Sequence, residues 1–345
     1  MRVGVAIPSY LGAAFIEPTL RSLTTQSHDD WFAIVVNDGE EDGTADVVAA
    51  IGDPRIQYYN DGRRRGQFGN FNCAIMRVLA TQPGIVKLLC ADDVLYPYAL
   101  SDVTRVFQSN ALVGLVAAHY DGIDSCGRLL FHVNLDGRDD LVMKGRDYLR
   151  LGVALGNTIG GPSSVAIRRE AIESAGLFDT RINHSGEADL WHRVAVHWDI
   201  AWIGRRAGLQ YRFHDASITG RGKYSVAKFS DPIQIVRRVA ATEPLLGARW
   251  WAHQYTIGRL HSINLLLLGS MMAHKRWDGV RAGLTACLRE GLILYAPFWV
   301  PRIPWQLFQI VRRRNPSERV LWGRWHKRLQ PPRDVMHASA PTQVP

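Results

Sequence analysis

Neither a metal knuckle nor a disulfide framework is written into this chain. Its four cysteines, Cys73, Cys90, Cys126 and Cys287, stand far apart and form no Cys-x-x-Cys. Reduced thiols in a cytoplasmic protein are the expectation, and a zinc site is not. Long hydrophobic runs are missing too. The stretch from Ile263 to Ala273 comes nearest, and it falls short of the roughly 18 apolar residues that a spanning helix needs. Met1-Arg2 leads straight into a strand pattern, without the apolar segment of a signal peptide. No Gly-x-Gly-x-x-Gly occurs, which excludes a dinucleotide oxidoreductase. Acidic residues are scarce at one end only: Pro297 to Arg333 holds nine Lys or Arg against the single acid Glu318, and the net charge of +9 belongs mainly there.

What is present is a folded α/β pattern, with 47% hydrophobic and 21% charged residues arguing against disorder. Val3 to Ile7 and Phe32 to Val36 are apolar runs of one strand's length, each closed by polar turn residues. Helical spacing is expected from about Ala14 to Gln26, with Pro18 early enough to be tolerated. It is expected again through Phe71, Ile75, Val78 and Leu79. Further strands are expected near Ile56 to Tyr59, Val113 to Ala118, Pro162 to Ile167, Ile200 to Ile203 and Leu209 to Phe213. Helices are expected over Ala99 to Gln108, Arg168 to Ala175 and Ser185 to Ala195, and Gly122 to Asp140 reads as a hairpin or long loop. This alternation calls for a mostly parallel sheet with helices on both faces.

One stretch stands out. The run Val86-Lys87-Leu88-Leu89-Cys90-Ala91 ends abruptly in Asp92-Asp93, and Tyr96-Pro97 follows. Ligands of open α/β sheets bind beyond the carboxyl ends of the strands. Adjacent carboxylates there suit a divalent cation, and a turn capping the next helix is the plainer alternative.

Five motifs in order then resemble those of inverting glycosyltransferases of the GT-A fold, in the large group called family 2. They are Ile7-Pro8-Ser9-Tyr10, Asn37-Asp38-Gly39 with Asp42-Gly43-Thr44, Ala91 to Pro97, Gly186 to Trp191, and Tyr211-Arg212-Phe213-His214. The resemblance covers about residues 1 to 225. It implies a Rossmann-like GT-A sheet, a nucleoside-diphosphate sugar donor, Mn2+ or Mg2+, and direct transfer to an acceptor hydroxyl with inversion. Asp38, Pro8 and Tyr10 take the positions that bind the donor nucleotide, although Asp38 also reads as an Asx-turn or N-cap. Asp93 takes the metal-ligand position and Asp92 that of the ribose or donor-sugar contact. Cys90 replaces a further Asp common in the family and is read as a buried apolar residue. Glu187 falls in the register of the catalytic base, with Asp189 the alternative; acids that merely stabilise a helix N-terminus are the plainer reading of either. His214 is a candidate metal or phosphate contact, and Arg212, Arg221 and Lys223 are candidate partners of the donor diphosphate. Arg63, Arg64 and Arg65 either touch the donor or form a solvated face.

The expected organisation is a catalytic domain over residues 1–230, a C-terminal helical region over 231–330 and a disordered tail over 331–345. Trp299, Trp305, Trp322 and Trp325 alternate with arginines, which suits either an anionic membrane surface or packing between helices. A lipid-linked or cell-envelope glycan acceptor, met by a peripheral enzyme on the inner face of the membrane, fits the first. The rivals are a nucleotidyltransferase and a basic, non-catalytic lipid- or nucleic-acid-binding protein on a degenerate transferase fold. For the former, Ile7-Pro8-Ser9-Tyr10-Leu11 lacks the Gly-rich phosphate loop. For the latter, no nucleic-acid reader motif occurs and no such partner is expected.

Overall fold

The computed structural model describes residues 1–293 except 134, 136–138, 156, 183–184, 215–226, 243–249, 274 and 276. Four strands build the first half of the sheet: β1 (Val3–Ser9), β2 (Trp31–Asn37), β3 (Ile56–Tyr59) and β4 (Ile85–Leu88). β2 and β4 are buried along their whole length and β1 at all but Pro8. Helices covering both faces of a parallel sheet are what require such unbroken apolar strands. Between them run α1 (Ala13–Thr24), α2 (Thr44–Ile51) and α3 (Gly66–Leu79). Pro18 is accommodated inside α1.

After β4 the chain makes β5 (Val94–Leu95), α4 (Ala99–Ser109), β6 (Val113–Ala118), β7 (Tyr120–Ile123), β8 (Leu129–Phe131) and β9 (Leu141–Met143). Then come α5 (Gly145–Leu155), a 3-10 turn over Pro162–Ser164, β10 (Val165–Arg168), α6 (Arg169–Ala175), α7 (Gly186–Ala195), β11 (Asp199–Ile203) and β12 (Leu209–Arg212). The main sheet has eight strands in the order β3-β2-β1-β4-β10-β6-β11-β9. β10 runs antiparallel to both its neighbours and β9 antiparallel to β11, while the remaining pairs are parallel. The chain winds outward from β1 to β3, then returns to place β4 on the other side of β1. That reversal opens a crevice beyond the carboxyl ends of β1 and β4. Pro8, Ser9 and Tyr10 end one strand there, and Cys90 to Asp93 follow the other.

A second sheet, β5-β12-β7-β8, was not expected as a sheet: its β7–β8 hairpin answers to the hairpin or loop read over Gly122 to Asp140, whereas Leu209 to Phe213 was placed as a closing strand of the first. It begins immediately after Asp93. Helix α5 was not expected either. Its Gly145 and Gly152 each lie where a Cβ would strike a neighbour, the Ala195 and Trp198 carbonyls for one and the His192 ring for the other. They are close-packing positions that let α5 bury Tyr148 and Leu149.

Among the described residues three C-terminal helices follow: α8 (Ala227–Thr242), α9 (Trp250–Ala273) and α10 (Trp277–Arg289). Ile233, Ile235, Val236 and Val239 of α8 and Ile257 of α9 belong to the same buried cluster as Phe71, Tyr148 and Trp191. Phe229, Leu268, Met271, Cys287 and Leu292 form a smaller one. Among the described residues no helix is long and apolar enough to cross a membrane.

Candidate active site

The turn after β4 is built around a buried carboxylate. Asp93 is 1% exposed. Its Oδ1 accepts the Arg212 main-chain N–H at 2.9 Å, because β12 runs antiparallel to β5 and brings residue 212 alongside. Its Oδ2 is buried with no hydrogen-bond partner among the described residues. Burial, and then the neighbouring Asp92 charge, push the Asp93 carboxyl well above the usual range. A buried acid with one orphaned oxygen is the arrangement that a cation completes.

The structure brings Asp92, Asp93, Arg212 and His214 together. His214 Nε2 lies 2.9 Å from Asp92 Oδ2, and its ring packs on Phe15 with centroids 4.5 Å apart. Arg212 is used differently from the expectation of a diphosphate contact. Its Nε donates to the Asp92 carbonyl at 2.8 Å, and its Nη1 donates to the Asp124 and Ser125 carbonyls at 3.1 and 3.3 Å. The guanidinium therefore clamps the Asp92–Asp93 turn to the β7–β8 hairpin.

One residue here went unrecognised in the sequence. Lys87 is 2% exposed in the middle of β4. Its ammonium donates to the Ser163 carbonyl and, at 3.3 Å, to that of Val165, and burial lowers its pKa to about 7. The signal was a single charge inside an otherwise apolar strand. Cys90 packs partly buried against the core, as its apolar reading expects, and its sulfur also lies within 4.8 Å of an oxygen of Asp92 and of Asp93. Burial, with the two nearby carboxylates, raises its thiol pKa well above the ordinary value.

At the ends of β1 and β2, Asp38 accepts the main-chain N–H groups of Arg65 at 2.5 Å and Gly66 at 3.0 Å. It holds the start of α3, a contact 27 and 28 residues away in sequence rather than the local Asx-turn or N-cap of the plainer reading. The Arg64 guanidinium lies 4.0 Å over the Tyr10 ring and 3.5 Å from Glu40, so Tyr10 and the Arg63–Arg65 stretch meet. Pro8 lies half-buried in β1, opposite Val36.

The two acids of α7 have separate fates. Asp189 is buried and paired, with Oδ2 2.9 Å from Arg193 Nε and Oδ1 3.2 Å from Arg238 Nη1. Glu187 engages no other side chain among the described residues, and burial raises its pKa. No hydrogen bond or ion pair joins it to the Asp92–Asp93 turn among those residues. Gly186 fixes where α7 starts, since a Cβ there would stand 2.6 Å from the buried Phe68 ring. Gly186→Ala is therefore expected to cost about 1–3 kcal/mol in a denaturant melt and to lower turnover by displacing Glu187. An unaltered melt would show that the contact is slack. Arg221, Lys223, the tryptophan–arginine stretch and the tail lie outside the described residues.

The model of Glycosyl transferase family 2 matches residues 4–176, half of the chain. The chain belongs to glycosyl transferase family 2. The match covers Asp38, Asp92 and Asp93 and stops before α7. Among the curated relatives, an uncharacterized glycosyltransferase of Nostoc sp. is 26% identical over 226 residues, which is 63% of this chain and 66% of that protein. One from Rickettsia typhi is 25% identical over 219 residues, 63% of this chain and 65% of that protein. The chain thus spans just under two thirds of the length of these relatives. The fold is that of solved GT-A glycosyltransferases. S. aureus TarS residues 1–349 in complex with UDP-GlcNAc superposes with a TM-score of 0.56 at 13% identity, covering 84% of this chain and 92% of that one. The mannosyltransferase PcManGT of Pyrobaculum calidifontis, in complex with GDP-Man and Mn2+, does so at 0.51 and 16%, covering 88% and 87%.

Proposed function

We propose that this family 2 member moves a sugar from a nucleoside-diphosphate sugar to an acceptor hydroxyl with inversion, assisted by a divalent metal. The observation that carries the reading is the buried Asp93 oxygen beside Asp92, without a hydrogen-bond partner among the described residues, in the crevice where the strand order reverses. The UDP-GlcNAc, GDP-Man and Mn2+ of the two structural neighbours support the same classes of donor and ion.

Asp93 and Asp92 hold the ion, and His214 fixes the Asp92 carboxylate through the 2.9 Å contact. When bound, Mn2+ or Mg2+ neutralises charge on the departing nucleoside diphosphate. Tyr10, its partner Arg64, Pro8 and the capped Asp38 line the nucleotide side. Glu187 takes the proton of the acceptor hydroxyl as its oxygen attacks the anomeric carbon, opposite the leaving group. Asp189 is held by two arginines and serves α7 instead. The acceptor is a glycan or a lipid-linked glycan precursor, the latter supported by the basic, tryptophan-bearing stretch after Pro297.

The full chain, screened against UDP- and GDP-sugars with Mn2+ or Mg2+, is expected to show metal-dependent thermal stabilisation and slow hydrolysis with one donor class. Silence across the panel would end the transferase reading. The pH profile gives a second check. A base works only when ionised, so kcat falls about tenfold per pH unit below the pKa of Glu187. Burial raises that pKa, which places the acid limb above the value of about 4.3 for an ordinary Glu. Asp189→Asn leaves the limb where it is. A limb at the ordinary value would mean that another group is the base.

A further inference from the structure

Cys90 stands at the one corner of the site whose chemistry the transfer reaction does not call for. Its main-chain N–H donates to Ser163 Oγ at 2.9 Å, which anchors the residue against the Pro162–Ser164 turn. Its sulfur, an Asp92 oxygen and an Asp93 oxygen all lie within 4.8 Å of one another. Around a tetrahedral ion with a metal–sulfur bond of about 2.3 Å and metal–oxygen bonds of about 2.1 Å, such donors stand about 3.6 Å apart. Small side-chain rotations therefore bring all three onto one ion. Asp93 supplies an independent sign that a ligand belongs there, because its buried Oδ2 has no hydrogen-bond partner among the described residues.

We propose that Cys90 is a metal ligand, and that this centre takes a thiophilic divalent ion, Zn2+ or Cd2+, in preference to Mg2+ or Mn2+. The inference rests on Asp92 and Asp93 being the metal site. Thiolate sulfur selects soft and borderline ions, whereas a centre of oxygens alone suits Mg2+ and Mn2+. On binding, the Cys90 S–H bond breaks, a sulfur–metal bond forms and the proton leaves to solvent. With the buried Lys87 ammonium behind the strand, three anionic ligands, one ammonium and a divalent ion sum to zero charge. The absence of any zinc spacing in the sequence is no obstacle, since the ligands come from one turn and need no second cysteine.

The test uses the full chain carrying Cys126→Ser, which removes the exposed thiol. Cd2+ is titrated while sulfur-to-cadmium charge-transfer absorption is followed, and thermal melts are run with Zn2+, Cd2+, Mn2+ and Mg2+. A saturable band at one equivalent, and larger stabilisation by Zn2+ and Cd2+ than by Mg2+, are expected. Adding Cys90→Ser abolishes the band and weakens Cd2+ and Zn2+ by about tenfold or more, with the melt in EDTA unchanged. Cys90→Asp turns the preference towards Mn2+ and Mg2+. A band that survives Cys90→Ser, or metal affinities indifferent to it, overturns the proposal. Donor turnover is read separately: a Cys90-dependent band without transfer sinks only the transferase reading, and Mn2+-dependent transfer without a band sinks only this one.

Discussion

Asp93→Asn leaves a well-folded protein that no longer turns over a nucleotide sugar. The amide keeps an oxygen for the Arg212 N–H, which Asp93 Oδ1 accepts at 2.9 Å, so the join between β5 and β12 survives. It also removes a carboxyl that burial and Asp92 already push towards its neutral form. The melt is therefore unchanged or slightly higher. Catalysis is another matter, because an amide cannot supply the charge that holds a divalent ion beside the departing diphosphate. Loss of one such electrostatic partner lowers kcat by about 10²–10³, and Mn2+-dependent stabilisation disappears with it. Turnover assays beside melts with and without Mn2+ separate the two effects. Near-wild-type turnover from a folded Asn variant would remove Asp93 from the site.

The second large effect sets the two acids of α7 against each other. Glu187→Gln keeps shape and loses only the ability to take a proton, so kcat falls by about 10²–10⁴ while donor-induced stabilisation persists. The fold is indifferent, since Glu187 engages no other described side chain. Asp189→Asn does the reverse. It breaks ion pairs with Arg193 and Arg238 at 2.9 and 3.2 Å around a buried carboxylate. The cost is about 1–3 kcal/mol of stability, moderated by the exposure of both arginines, with a far smaller change in kcat. Paired denaturant melts and single-turnover rates decide it. A catalytic loss in Asp189→Asn larger than in Glu187→Gln would exchange their roles.

Much of this was legible because it is local. An apolar run that ends abruptly in polar turn residues announces both a strand and its functional end, and β1, β2 and β4 follow that rule, β4 alone ending in two adjacent carboxylates. What stayed hidden depends on distant partners. The second sheet joins the two-residue β5 to β12 more than a hundred residues later, and no periodicity in either predicts the pairing. Asp38 looks like a free acid until the Arg65 and Gly66 amides, 27 and 28 residues on, close over it. The choice between Glu187 and Asp189 turns on Arg238, 49 residues beyond Asp189 in a helix outside the resemblance. Cys90 packs against the core as its residue type suggests, but the two carboxylates beside its sulfur are visible only in three dimensions.

The Asp189–Arg238 pair gives α7 two allegiances. One end of the helix presents Glu187, while Asp189 binds a layer whose Ile233, Val236 and Val239 share the core of the transferase fold. Through Asp189 the C-terminal helices are thus tied to the helix that carries the proposed base, so the placing of Glu187 is anchored from outside the stretch that the family model matches.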